Sequence, residues 1–274
     1  MLAQRWQESL GQSVVVDNRA GAGGNIGAEI IAKSPPDGYN VLFTTSAIAA
    51  NVTLYPKMGF DPRKSLIVVS HIGSVPALLT VHPSVPAKTA RDVVALSKAT
   101  KGGMNFGSNG SGTTSHLAGA MFVQTAGAAL THVPYKGAAP ALNEILGGHV
   151  EFYFTNPLLS FQHAKTGRLR ALAVSGARRA PALPDMPTVA EAGVSNFEVS
   201  PWYGVMAPAR TPAALVAMLA RQINDALTLP ELREKLAAEG AEPAGTTPDE
   251  FARIIAAEYD KWSRVIRATG IRAD

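Results

Sequence analysis

MNFGSNGSGTTSHLAG, residues 104–119, decides the fold. Met104-Asn105-Phe106 reads as the end of a strand, Gly107 to Thr114 is a loop of glycine, serine, asparagine and threonine, and Ser115 to Gln124 has helical apolar spacing. A strand that hands over to a helix through a glycine-rich turn is the repeating step of an α/β sheet. Toward the C-terminus the pattern continues with a strand at Leu130–Val133, a helix at Pro140–Leu146, a strand at Val150–Phe154, a helix reaching Lys165 and a strand at Leu169–Val174. Toward the N-terminus it continues with a helix at Thr89–Ala99 and strands at Ala77–His82, Ile67–Ile72 and Tyr39–Thr45. Further back come a helix from about Ile26 to Lys33, a short apolar strand at Val14–Asp17, and an opening amphipathic helix ending near Leu10. After Pro201-Trp202-Tyr203-Gly204, the run Val205-Met206-Ala207 precedes three helical stretches that end near Ala268.

The composition shifts toward Gly, Ser, Thr and Asn at Thr100–Gly103, and the C-terminal helices are more than the second α/β unit needs. The expected organisation is therefore two lobes: residues 1–100 with 204–274, and residues 101–203. A chain of 274 residues with 46% hydrophobic content has ample material for a core in each. Only 17% of residues are charged, and the net charge of +4 is spread without a block of like charges, which argues against a nucleic-acid partner. The absence of cysteine removes disulfides, thiolate zinc sites and cysteine nucleophiles. No run approaches the ~20 apolar residues that span a bilayer, and the first ten residues lack the basic start and apolar run of a signal peptide. The expectation is that an export segment was removed or that none existed.

The 107–114 loop carries the most chemistry. A helix N-terminus exposes unpaired amides that attract anions, and Ser108, Ser111, Thr113 and Thr114 add hydroxyls where a simple cap needs one. Gly110 and Gly112 allow close backbone approach. From Gly102 to Tyr135 there is no Asp, Glu, Lys or Arg, so a bound carboxylate would meet neither a like charge nor a guanidinium clamp. The alternative for this loop is a plain helix cap.

Other motifs support less. Gly21-Ala22-Gly23-Gly24-Asn25-Ile26-Gly27 misses the dinucleotide spacing, and no acid follows the next strand, so a structural turn is the expected reading. The serine-hydrolase elbow is absent around Ser108 and Ser111. His116, one turn into an apolar helix, reads as a packing residue, and the six scattered histidines give no metal spacing. Tyr135 and Lys136 follow one strand and Thr155 and Asn156 another, positions where open α/β sheets contact ligands, although packing roles are as ordinary. Thr44, Thr45 and Ser46 close a strand of the first lobe and could face the second lobe's loop across a cleft.

Taken together, VVVDNRAGAGGNIGAE (14–29), PPDGY (35–39), NFGSNGSGTTSHLAG (105–119), HVPYKGAAPAL (132–142), RALAVSGARR (170–179), LPDMPTVAEAG (183–193), Trp202-x-Gly204 and AP-x-x-TP (207–212) closely resemble the Bug-type extracytoplasmic solute receptors of tripartite tricarboxylate transporters. The resemblance spans nearly the whole chain. It implies a two-lobed Venus-flytrap binding protein of the periplasm that closes over a small organic carboxylate and delivers it to a membrane transporter, without catalysis or cofactor and as a monomer. It places the ligand against Ser108, Asn109, Gly110, Thr113 and Thr114, with Tyr135 and Gly137 from the second lobe and Thr44 and Ser46 from the first. Two departures qualify it. The family's usual first strand and its proline-glycine-rich loop are missing ahead of the opening helix, so this chain is expected to bind weakly beside one extended by that segment. Thr155 stands where many members carry Asp, so a plain carboxylate is expected rather than an amino acid. An α/β enzyme acting on a small anion and a shortened member that binds nothing remain the competing readings.

Overall fold

The computed structural model describes residues 2–238 and 240–273, without the side chains of Ala238 and Thr269. The chain divides into two compact units, Met1–Ser74 with Trp202–Ile266, and Val75–Pro201 with Arg267–Asp274.

Unit 1 begins with α1 (Leu2–Leu10), α2 (Asn25–Ala32), β1 (Leu42–Thr45), α3 (Ala47–Leu54), the single turn α4 (Pro62–Ser65) and β2 (Leu66–Ser74). Unit 2 follows with β3 (Leu78–Val81), α5 (Ala90–Ala99), β4 (Met104–Ser108), α6 (Thr114–Ala126), β5 (Leu130–Pro134), α7 (Ala138–Leu146), β6 (Phe152–Thr155), α8 (Pro157–Lys165) and β7 (Arg170–Val174). The chain then returns through β8 (Trp202–Pro208), α9 (Ala213–Thr228), α10 (Pro230–Ala238), β9 (Glu242–Pro243) and α11 (Pro248–Thr269).

The sheet of unit 1 runs β1-β8-β2-β9, antiparallel throughout. Its central strand, β8, arrives from the far end of the sequence. Val216, Leu219, Ala220, Ile223, Ala226 and Leu227 recur at helical spacing along α9 and pack against Val69, Ile72, Val205 and Ala207. The next residue of β8 in the pleat, Gly204, faces the other way, where its missing Cβ leaves room for the Phe251 ring of α11.

Unit 2 holds the sheet β5-β4-β6-β3-β7, in which β5, β4 and β6 are parallel and β3 is antiparallel to β6 and β7. Phe106, Phe122, Phe152, Phe154 and Phe197 pack on the α6 face of this sheet. Ala141 and Ile145 of α7 cover the opposite face with Val150 and Tyr153. Successive connections from β4 to β5 and back past β4 to β6 go in opposite directions, so their right-handed crossovers put α6 and α7 on opposite faces.

Two expectations are corrected. Val14–Asp17 forms no strand: no described strand pairs with it, and Val15 and Val16 stand 83% and 67% exposed. The crossing between units lies at Ser74/Val75, not near residue 100, because β3 pairs with β6 and β7 and carries α5 with it into unit 2. The return crossing lies at Pro201/Trp202, two residues before the expected start at 204, and the residues from Arg267 onward group with unit 2.

Candidate functional site

The three parallel strands of unit 2 end on one edge, where α6, α7 and α8 begin. That is the carboxyl edge of the sheet at the point where the strand order reverses around β4, the usual ligand position of open α/β sheets. The β4–α6 loop occupies it.

The loop is built from internal hydrogen bonds. Ser108 is fully buried; its Oγ accepts from the Gly110 amide at 3.1 Å and lies 2.6 Å from Nε2 of His132 on β5. The Asn109 amide donates to Ser115 Oγ at 3.0 Å, and the Gly112 amide donates to Nδ1 of His116 at 3.1 Å. Thr113 Oγ1 donates to the Gly110 carbonyl at 2.6 Å. Gly110 (φ 126°) and Gly112 (φ 77°) adopt the left-handed region that these reversals require. Beneath the loop the His116 and His132 rings stack, with Phe106 against His132 at 4.9 Å.

With these contacts made, a small set of donors remains. The amides of Thr114 and Ser115, in the first turn of α6, have no partner among the described residues, nor has the half-buried Thr114 hydroxyl. The Asn109 side chain receives the Tyr153 hydroxyl on its Oδ1, while its Nδ2 is uncommitted. All four are neutral donors, and the helix dipole adds partial positive charge at the same place.

The other expected site residues fall out as follows. Gly137 opens α7 and donates its amide to the Asn109 carbonyl at 3.1 Å, and the Tyr135 amide donates to the Ser108 carbonyl at 3.0 Å, so Ser108, Asn109, Gly110, Thr113, Thr114, Tyr135 and Gly137 form one cluster. The Tyr135 hydroxyl, however, donates to Glu144 at 3.3 Å; burial first, and then the Glu144 carboxylate, push its phenol pKa up. Lys136 is exposed. Thr155 is 1% exposed and donates to Ser160 Oγ at 2.6 Å, so its hydroxyl anchors the start of α8 and offers nothing to a ligand. Asn156 caps α8 by accepting from the Leu158 amide. Thr44 and Ser46 belong to unit 1: Thr44 lies in β1 opposite Gly204, and the buried Ser46 donates its amide to the Trp202 carbonyl.

Sequence reading missed two pairs, Ser108 with His132 and Tyr153 with Asn109, because each joins residues far apart in the chain, one between two strands and the other between a strand and the loop. The first has the separation of a nucleophile and base, but Ser108 Oγ is inaccessible and already accepts the Gly110 amide. It holds the loop. The glycine turn of unit 1 follows no strand, and Asn51 braces it by donating to the Gly23 carbonyl and to Asn25 Oδ1, so the dinucleotide arrangement is absent. Among the described residues no group of three His, Asp or Glu could hold a metal ion, and no helix is long and apolar enough to cross a membrane.

The family model described as "Tripartite tricarboxylate transporter family receptor" matches residues 1–271. The chain is similar to the solved structure of R. palustris Rpa4515 with adipate, at 37% identity and a TM-score of 0.93, covering 100% of this chain and 92% of that one. It resembles the periplasmic binding protein BugD at 30% identity and a TM-score of 0.89, covering 100% and 92%. It also resembles MatC from Rhodopseudomonas palustris with bound malate at 27% identity and a TM-score of 0.88, covering 97% and 92%.

Proposed function

Because the chain belongs to the tripartite tricarboxylate transporter family of receptors, we propose that it captures a small organic carboxylate in the periplasm as a monomer and delivers it to a membrane transporter. The observation that carries this reading is the group of uncommitted neutral donors at the start of α6: the Thr114 and Ser115 amides, the Thr114 hydroxyl and Asn109 Nδ2. A carboxylate offers only acceptors, so each donor finds a partner in it. The relatives with adipate and malate support the same ligand class.

Magnitudes are adequate. A hydrogen bond to a charged group contributes about 1.5–3 kcal/mol, and a helix N-terminus about 0.3–1 kcal/mol. Three or four such contacts sum to about 5–12 kcal/mol, a range that brackets the roughly 8 kcal/mol of micromolar binding.

A thermal-shift screen across mono-, di- and tricarboxylates tests the proposal. A receptor rises in Tm with ligand and returns it chemically unchanged. Conversion of the ligand would favour an α/β enzyme acting on a small anion, and no shift with any carboxylate would defeat the reading.

A further inference from the structure

We propose that Tyr153 is a positioning residue that sets the selectivity of the loop: by donating its hydroxyl to Asn109 Oδ1, it fixes that amide so that only the Nδ2 donor faces a ligand. This rests on the carboxylate reading given above and adds the element that makes the site read acceptors alone.

A free asparagine amide is ambivalent, since a half-turn about its terminal bond exchanges donor for acceptor. Here the exchange is opposed, because a flipped amide would take the phenol oxygen as its acceptor and leave the buried Tyr153 O–H with no acceptor among the described residues. Tyr153 lies in β6, 2% exposed, with its ring in the cluster of Ala141, Ile145, Val150 and Leu169, so it cannot swing away from Asn109. Its hydroxyl has no other partner among the described residues. Burial pushes the phenol pKa far up, so the hydroxyl stays protonated around neutral pH. The rest of Asn109 is equally committed: its amide donates to Ser115 Oγ at 3.0 Å and its carbonyl accepts from Gly137 at 3.1 Å. Flipping the side chain would bring Nδ2 against the phenol oxygen and turn Oδ1 toward the ligand, placing acceptor against acceptor when that ligand is a carboxylate. Together with the uncommitted Thr114 and Ser115 amides, the fixed Nδ2 adds a further neutral donor at the head of α6.

Adipate and its neutral diamide, adipamide, are the probes, titrated calorimetrically into wild type, Tyr153→Phe, Asn109→Ala and the double variant. Removing the hydroxyl frees the amide to turn. Tyr153→Phe therefore weakens adipate roughly threefold to tenfold, about the value of one ordinary hydrogen bond, and leaves adipamide, which can pair with either face, unchanged. In the Asn109→Ala background the same substitution costs adipate nothing further, because Tyr153 acts only through Asn109. Equal losses for both probes, or additive losses in the double variant, would overturn the proposal and assign Tyr153 a packing role. If wild type binds no carboxylate, the ligand reading fails by itself and the orientation is still read directly by NMR of the ¹⁵N-labelled protein. The Asn109 Nδ2 protons are expected to exchange with water and to show no strong Overhauser contact to the Tyr153 ring; a strong contact would reverse the orientation and overturn the proposal.

Discussion

The imidazole rings of His116 and His132 stack with centroids 3.9 Å apart and planes 11° from parallel. Each ring ties down one part of the β4–α6 loop, His116 through the Gly112 amide and His132 through Ser108 Oγ. His116→Phe keeps the stacked shape but leaves the buried Gly112 amide without an acceptor. Urea unfolding is expected to show a loss of about 1–3 kcal/mol, and an unchanged midpoint would refute a loop-holding role for this ring.

Adjacent threonines have separate tasks. Thr113 donates to the Gly110 carbonyl, so Thr113→Val is expected to lower Tm. Thr114 has an uncommitted hydroxyl, and Thr114→Val is expected to weaken carboxylate binding about tenfold or more while Tm stays within a degree or two. Calorimetry beside a melting curve for each variant separates the two roles, and the reverse assignment would contradict the geometry.

Much of unit 2 was readable from sequence because β3, β6 and β7 are largely apolar runs bounded by turn residues and its helices keep their spacing. The loop was readable for a related reason: an excess of hydroxyls and glycines at a helix start is a local signal. Val14–Asp17 has the same apolar signature as a true strand, but a strand needs a partner, and partners are set by tertiary pairing. The composition shift at Thr100–Gly103 proved to be the turn from α5 into β4, where Gly102 and Gly103 take φ of 86° and 79°. The real crossings at Ser74/Val75 and Pro201/Trp202 follow from β2 pairing with β8, a contact between distant segments that leaves no local mark. The Tyr153–Asn109 and Ser108–His132 pairs were hidden for the same reason.

His71 gives unit 1 a pH dependence. It stacks on Phe251 at 5.9 Å and meets the Trp202 ring edge-on, and burial lowers its pKa below the ordinary value near 6.5. The unfolded chain then binds a proton more readily than the folded one. Its contribution to stability is complete above about pH 6.5 and declines as pH falls through the lower folded value. Tm measured from pH 7.5 to 5 is expected to fall, and His71→Phe to fall less steeply. Parallel slopes for the two proteins would contradict this assignment.

Gly119 lies where α6 crosses Phe106, and a Cβ there would stand 2.3 Å from the ring. Gly119→Ala is expected to destabilise by about 1–3 kcal/mol through overpacking, against the gain alanine normally brings to a helix. Denaturant titration decides the sign; a stabilised variant would mean that the ring has room to move.

The central claim is that an anion is held by neutral donors at the head of α6, with no cationic side chain involved. Calorimetric titration of wild type with adipate, malate and adipamide at low and high salt tests it most directly. A micromolar dicarboxylate affinity that far exceeds the diamide's and varies little with salt is the predicted result. Affinity shared by the neutral diamide, or one that collapses with salt as a lysine- or arginine-held anion would, contradicts it.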